Sequence, residues 1–317
     1  MQIRDCVMGI DTSNYMTSVA VINSAGEIMY DLRKPLKVKQ GQRGLRQSHA
    51  LFQHIETLPV LIEEALSEVR KRLSAVSVSV RPRPLEDSYM PVFKAGWSMA
   101  SALGTAMNLP VYSFSHQEGH IEAVKRFSTF RKKEKFLCFH LSGGTCELLL
   151  VSGNKIERLG GSRDISFGQV LDRIGVKLGM DFPCGQEFDR ISLKAKESSN
   201  KLKEIPVTGT WINLSGIETQ AERIIDNGLT ENERDMLIKE IFNKIYDSIF
   251  ALSGNAVIST GLTDILFTGG VSSSRFLADA LHSRFDSTNV SIDFGNQHLA
   301  SDNAVGTAFL GGKMIWQ

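Results

Sequence analysis

Cys6-Val-Met-Gly-Ile-Asp-Thr-Ser13 followed by Thr17-Ser-Val-Ala-Val-Ile22 is one version of a pattern that recurs later in the chain. Phe136-Leu-Cys-Phe-His-Leu-Ser-Gly-Gly144 followed by Thr145-Cys-Glu-Leu-Leu-Leu-Val151 is the other. Each reads as a strand, a short turn rich in Gly, Ser or Thr, and a second strand. The echo predicts a duplicated α/β architecture in which each lobe opens with a β-hairpin. A length of 317 residues agrees, because it exceeds one ordinary core of roughly 100–200 residues. We place the N-terminal lobe at 1–133 and 303–317, and the C-terminal lobe at 134–302.

Helices are expected between and after the hairpins. Ser48 to Leu73 has apolar residues at helical spacing, with Pro59 as a kink. Lys94 to Met107 is rich in small residues. Phe167 to Leu178 carries Val170, Leu171, Ile174 and Leu178 on one side, with Gly179 as its C-cap. Thr230-Glu-Asn-Glu233 is a capping box that opens a long helix to about Ser259. Asp264 to Thr268 reads as a buried strand, Val290 to Phe294 as a late one, and Ser301 as the start of the last helix. Alternation of strands and helices predicts the α/β class.

Composition excludes several functions. At 42% hydrophobic and 22% charged, the chain can bury real cores and is not disordered. A net charge of +1 gives no global attraction to nucleic acid or anionic lipid, so any such contact requires a local patch. The start of the chain lacks the basic head and apolar middle of a signal peptide. No apolar run reaches the ~20 residues of a membrane helix. Cys6, Cys138, Cys146 and Cys184 form no C-x-x-C pair, which predicts reduced thiols in a cytoplasmic protein. Arg33, Lys34, Lys37, Lys39, Arg43 and Arg46 make a stretch without an acid, either a solvated loop or a phosphate-binding one. Arg131-Lys-Lys-Glu-Lys135 reads as a solvated linker.

His116-Gln-Glu-Gly-His120 sets two imidazoles at i and i+4 on one helix face, where both can reach one cation. Glu118 sits off that face, unlike the Glu of H-E-x-x-H peptidases. Ser115-His-Gln-Glu118 instead forms a capping box. A third ligand must come from elsewhere. Asp302 in Ala300-Ser-Asp-Asn-Ala is the candidate, and its competing reading is a carboxylate at a helix N-terminus. Gly9-Ile-Asp-Thr-Ser13, Leu141-Ser-Gly-Gly-Thr145 and Thr268-Gly-Gly-Val-Ser272 are three polar turns after apolar strands, suited to close approach of a phosphate. Asp172 and Asp189 follow Gly-bearing turns, either as ribose ligands or as solvated surface acids.

In order along nearly the whole chain, these motifs resemble the glycoprotease-related family. Its best-understood members are the TsaD-type tRNA threonylcarbamoyladenosine transferases. The resemblance runs from Gly9-Ile-Asp-Thr-Ser13 through His116-Gln-Glu-Gly-His120, Leu141-Ser-Gly-Gly144 and Asp164…Gly168…Asp172. It continues through Asp181-Phe-Pro-Cys-Gly185 and Gly269-Gly-Val-Ser272 to Ser301-Asp-Asn303. It implies the two-lobed actin-like ATPase fold shared by actin, sugar kinases and heat-shock chaperones, with duplicated ribonuclease-H-like domains around a nucleotide cleft. It implies a divalent metal, iron or zinc, on His116, His120 and Asp302. It implies a nucleotide, ATP or threonylcarbamoyl-AMP, on Gly9, Asp11, Thr12 and Ser13, on His140, Leu141, Ser142, Gly143 and Gly144, on Asp172, Gly185 and Asp189, and on Gly269, Gly270 and Ser274.

The activity so implied is transfer of a threonylcarbamoyl group from its adenylate to the N6 amine of a tRNA adenosine beside the anticodon. The tRNA would meet the Arg33–Arg46 stretch, and a paralogous subunit or a second copy would be the partner. The alternatives are a small-molecule carbamoyltransferase and a non-catalytic nucleotide-binding scaffold. The family's older label is metallopeptidase, which lacks a glutamate base here. The chain departs from the family at Asn14-Tyr15-Met16, where bacterial members read Cys-Asp-Glu, and at Arg81-Pro-Arg-Pro-Leu-Glu-Asp87, in place of Gly-Pro-Gly-Leu. It departs again at Thr145-Cys-Glu147, in place of His-Thr-Gln, and at Ser274, where an Asn is usual. The pattern is that of a diverged paralogue.

Overall fold

The computed structural model describes residues 4–13, 15–39 and 44–316. Two compact units divide the chain. One takes in Met1–Val38, Gly44–Phe127 and Asp302–Gln317, and the other holds Lys39–Arg43 and Ser128–Ser301. The division differs from the expected one at three places, the first being 39–43, which go with the second unit. Residues 128–133 go with the second unit, where Thr129 bonds the Asp293 carboxylate through both its N–H and its hydroxyl. Asp302 goes with the first.

The first unit is built in chain order from β1 (Cys6–Ser13), β2 (Met16–Asn23), β3 (Ile28–Pro35), α1 (Gln47–Val69), β4 (Leu73–Arg81), α2 (Phe93–Met107), β5 (Val111–Ser115) and α3 (His116–Arg126). The second contains β6 (Lys135–Leu141), β7 (Cys146–Ser152), β8 (Lys155–Ser162), α4 (Phe167–Lys177), α5 (Gly185–Lys194), β9 (Val207–Thr208), β10 (Trp211–Ile212), α6 (Ser215–Asp226), α7 (Glu231–Thr260), β11 (Asp264–Thr268), α8 (Arg275–Phe285) and β12 (Ser291–Asp293). The chain then returns to the first unit as α9 (Val305–Trp316).

The duplication is explicit in the sheets. The first has the order β3-β2-β1-β4-β5, and the second contains β8-β7-β6-β11-β12 with the β9–β10 hairpin added at its edge. In both, the first three strands form an antiparallel meander and the last two run parallel to the first. All eight residues of β1 are buried, as befits a central strand covered on both faces. Side chains from β1, β2, β4, α1 and α2 make the core of the first unit, and β6, β7, β11, α4, α5 and α7 dominate that of the second.

Several boundaries move for physical reasons. The helix predicted over 48–73 stops at Val69, and Leu73 is buried in β4. Pro59 lies inside α1. The long α7 ends at Thr260 because Gly261 adopts φ +71°, a left-handed cap. The last helix begins at Val305 instead of Ser301. Asn303 Oδ1 accepts from the Val305 and Gly306 N–H groups, so Asn303 is the residue that caps it. All four cysteines are free and buried.

Candidate functional site

In the first unit the predicted histidine pair forms a three-donor cluster. His116 and His120 start α3, whose N-terminus is fixed by the Ser115–Glu118 capping box. Glu118 is thereby committed to the backbone. The two Nε2 atoms lie 3.0 Å apart. Asp302 Oδ1 lies 3.1 Å from His120 Nε2 and 3.5 Å from His116 Nε2. The structure thus separates the two readings of Asp302, because the helix is capped by Asn303 and Asp302 turns to the histidines.

A backbone crossing sets the gap. α3 and α9 meet at Gly119 and Gly306, where a Cβ on Gly306 would lie 1.8 Å from the Gly119 carbonyl oxygen. Only glycine allows that approach. It brings the residue just ahead of α9 against the first turn of α3.

Behind the cluster stands a second set of bonds. The Asp11 carboxylate is fully buried, and its Oδ2 lies 2.8 Å from His116 Nδ1. Its Oδ1 accepts from the Ser13 N–H. The Ser13 hydroxyl in turn donates to Asp302 Oδ2 at 2.9 Å. This pattern leaves His116 Nε2 and Asp302 Oδ1 aimed at the cluster, as supporting carboxylates and hydroxyls do for metal ligands. Donors 3.0–3.5 Å apart can all sit about 2.1 Å from one small cation.

Electrostatics fit the same description. Burial opposes charge on His116, but Asp11 and Asp302 outweigh it and raise its pKa to about 10. Burial would raise Asp302, yet its bonds to both histidines hold it well below the usual carboxylate range. His120 is lowered, first by burial and then by the charge of His116. His116 is therefore protonated in the free cluster, and a cation on its Nε2 would displace that proton.

The other predicted residues of the first turn serve the fold and this cluster. Residues 11–13, expected in a phosphate-facing turn, are the fully buried end of β1, paired as Asp11↔Ser18 and Thr12↔Thr17. Thr12 donates to the Val92 carbonyl and accepts from Gly96 N–H. Gly9 makes room for α9, since a Cβ there would lie 2.3 Å from the Ala304 carbonyl. Asn14 lies outside the described residues.

The second unit has its own polar group at the C-terminal ends of β6 and β11. His140 and Leu141 are buried strand residues, so of the predicted loop only Ser142, Gly143 and Gly144 reach the surface. A Cβ on Gly143, Gly144 or Gly270 would meet nothing, so these backbones are open to a ligand. Gly269, at φ +94°, packs on the Leu141 backbone and holds the two turns together. Ser166, the N-cap of α4, donates to the Gly143 carbonyl at 2.6 Å, a contact that sequence reasoning missed.

Asp172 and Asp189, predicted beside a nucleoside, make internal bonds. Asp172 Oδ1 accepts from Cys184 N–H, just before Gly185 opens α5. Burial pushes Asp172 up to about 6. The Asp189 carboxylate accepts from the Ser274 hydroxyl and the Phe276 N–H. Ser274 also caps α8 by accepting from Leu277 N–H. This pair is a helix-terminus clamp as it stands.

The predicted basic stretch is partly neutralised. Arg33 lies on β3 in a 2.6 Å ion pair with Asp31, while Lys34, Lys37, Lys39 and Arg46 are exposed. Arg43 lies outside the described residues. Among the described residues no helix is long and apolar enough to cross a membrane.

Comparison with known proteins gives consistent results. The tRNA N6-adenosine threonylcarbamoyltransferase of Neorickettsia sennetsu is 25% identical over 304 residues, covering 94% of this chain and 90% of its own. Full-length HypF in its phosphate- and nucleotide-bound form is 13% identical, with a TM-score of 0.65 over all of this chain and 56% of that one. A ROK family glucokinase from Streptomyces griseus in complex with glucose and AMPPNP is 12% identical, with a TM-score of 0.53 over 96% of this chain and 98% of its own. The fold is the duplicated actin-like ATPase fold. Residues 36–309 match the profile described as TsaD, tRNA N6-adenosine threonylcarbamoyltransferase, and the chain belongs to that family.

Proposed function

We propose that this protein transfers a threonylcarbamoyl group from its adenylate to the N6 amine of a tRNA adenosine. In the balanced reaction a C–N bond forms between the carbamoyl carbon and N6. The bond from that carbon to the phosphate oxygen breaks, AMP leaves, and N6 loses a proton. The observation that carries the reading is the convergence of His116 Nε2, His120 Nε2 and Asp302 Oδ1, supported from behind by Asp11 and Ser13.

These three side chains are the ligands of one divalent cation, iron or zinc in the family that the sequence resembles. A cation so held supplies Lewis acidity toward the carbonyl being transferred. Asp11 fixes the His116 ring with Nε2 forward, and Ser13 holds the Asp302 carboxylate in register. Gly143, Gly144 and Gly270 offer open backbone for the phosphate of the adenylate, with Ser142 holding the turn through its N–H bond to the Thr145 carbonyl. The exposed Lys34, Lys37, Lys39 and Arg46 provide a local positive surface for tRNA. Glu118, the acid inside the His motif, is engaged in helix capping and does not stand as a metal-water base. Peptidase chemistry therefore has no support here.

The test combines elemental analysis of native protein with AMP release from threonylcarbamoyl-AMP, measured with and without tRNA. The reading expects bound metal and release that depends on tRNA, both abolished by His116→Ala. Release that is indifferent to tRNA would point instead to a small-molecule acceptor. No release with intact partner binding would point to a scaffold.

A further inference from the structure

α1 carries one polar side chain on its otherwise apolar inner face. Ala50, Leu58, Leu61, Ile62, Ala65 and Val69 are buried along that face, and His54 is buried with them at 0% exposure. Packing alone does not call for an imidazole, because a leucine would fill similar volume without desolvating two ring nitrogens. His54 Nδ1 and Thr17 Oγ1 share a hydrogen bond of 2.8 Å. The Ser13 backbone carbonyl lies near the ring but outside hydrogen-bonding geometry, and Nε2 has no hydrogen-bond partner among the described residues.

Ser13 and Thr17 flank one short turn, Ser13 ending β1 and Thr17 standing second in β2. Ser13 pairs with Met16, and Thr12 with Thr17, where β1 reverses into β2. The Ser13 side chain is the one that holds Asp302 Oδ2. His54 therefore sits under the turn that carries a supporting bond of the metal cluster, without touching any of the three ligands. The Asp11 and Asp302 carboxylates are near enough to act on its charge, yet burial dominates and lowers its pKa to about 4, so the ring is neutral at pH 7.

We infer that His54 is a positioning residue for the metal centre, bracing the Ser13–Thr17 turn so that Ser13 keeps Asp302 in register. The inference rests on the metal reading of His116, His120 and Asp302 given above. Its reach is indirect: α1 fixes β2 through Thr17, the β1–β2 turn fixes Ser13, and Ser13 fixes the third ligand.

Cobalt(II) is the probe, because its visible ligand-field bands report coordination geometry independently of activity. The experiment compares full-length wild type, His54→Leu, His54→Asn and Thr17→Val by cobalt titration, with thermal melts as a folding control. Loss of a supporting contact typically lowers metal affinity 10–100-fold. His54→Leu and Thr17→Val should weaken cobalt binding by at least about tenfold and alter its bands. His54→Asn, which can still bond Thr17, should recover most of the affinity. Should His54→Leu fail to fold, the conservative pair His54→Asn and Thr17→Val decides alone. Wild-type affinity and spectrum in Thr17→Val and His54→Leu would overturn the inference and leave the metal reading intact. Wild-type protein that binds no cobalt would instead overturn the metal reading, and this inference with it.

Discussion

Ser13 and Asp302 are 289 positions apart and joined by one hydrogen bond of 2.9 Å, from the Ser13 hydroxyl to the Asp302 carboxylate. The bond ties the end of the first strand to the residue that completes the His116–His120 cluster. Because Asp302 Oδ2 is occupied this way, Oδ1 is the oxygen that faces both imidazoles.

Ser13→Ala removes that bond without adding bulk. The Asp302 carboxylate then loses its fixed orientation, and metal affinity should fall about 10–100-fold with the fold retained. Equilibrium dialysis against zinc checks this. An unchanged dissociation constant would show that Ser13 is incidental to the site.

Metal binding should release a proton. His116 is raised from 6.5 to about 10, with burial opposing charge and Asp11 and Asp302 overriding it. In the metal-free protein that shift adds stability in full below pH 6.5 and loses it as pH rises through 10. A cation must displace this proton, so affinity should climb about tenfold per pH unit between pH 7 and 9. Calorimetry in buffers of different ionisation enthalpy should find about one proton released per ion. Heats that do not depend on the buffer would refute the assignment.

Asp172→Asn should make the protein more stable at neutral pH. Burial raises Asp172 from 3.8 to about 6. A raised folded value means that its favourable contribution is complete below pH 3.8 and is lost as pH rises through 6. At pH 7 the ionised group then costs at most about 3 kcal/mol, at 1.36 kcal/mol per pKa unit. Asparagine keeps an acceptor for Cys184 N–H and removes the charge. Urea melts at pH 7 and pH 4 should show a gain at the first that shrinks at the second. A variant less stable than wild type at pH 7 would contradict this account. A costly carboxylate bonded to Cys184 N–H, next to the open Gly185, also marks Asp172 for function, so the variant should lose activity while it gains stability.

Gly306→Ala tests the crossing of α3 and α9. A methyl group placed 1.8 Å from the Gly119 carbonyl forces the helices apart. Overpacking of this kind typically costs about 1–3 kcal/mol. Here it should also move Asp302 away from His116 and His120. Loss of metal affinity alongside a lower melting temperature is the expected pair of results. A lower melting temperature with unchanged metal affinity would mean that the crossing does not set the ligand gap.

Much of the fold was legible because it is periodic. The repeated strand–turn–strand segments read correctly as two duplicated α/β halves, since a buried central strand is a continuous apolar run. The β9–β10 hairpin was not foreseen, because two-residue strands leave no alternation to detect. In the three-donor cluster, the His116–His120 spacing pointed to two of the side chains, and the adjacent Asp-Asn pair left the third open. Only the fold could put Asn303 at the cap and turn Asp302 toward the histidines, because that choice depends on where α9 starts. Asp11 and Ser13 carried a misleading signal. Beside Gly9 they resembled a phosphate turn, yet β1 continues through Ser13 and buries both. His54 gave no signal of its own, since its neighbours Ser13 and Thr17 are close only across a sheet.

The return of the chain at Asp302 has a consequence for biosynthesis. His116 and His120 leave the ribosome long before their third partner, and the whole of Ser128–Ser301 is made in between. The cluster cannot close until the stretch from Asp302 has emerged and α9 has docked beside β1. Nascent or prematurely terminated chains therefore carry two histidines and no complete cage. Loading of the proposed metal on all three donors therefore waits until Asp302 has been made.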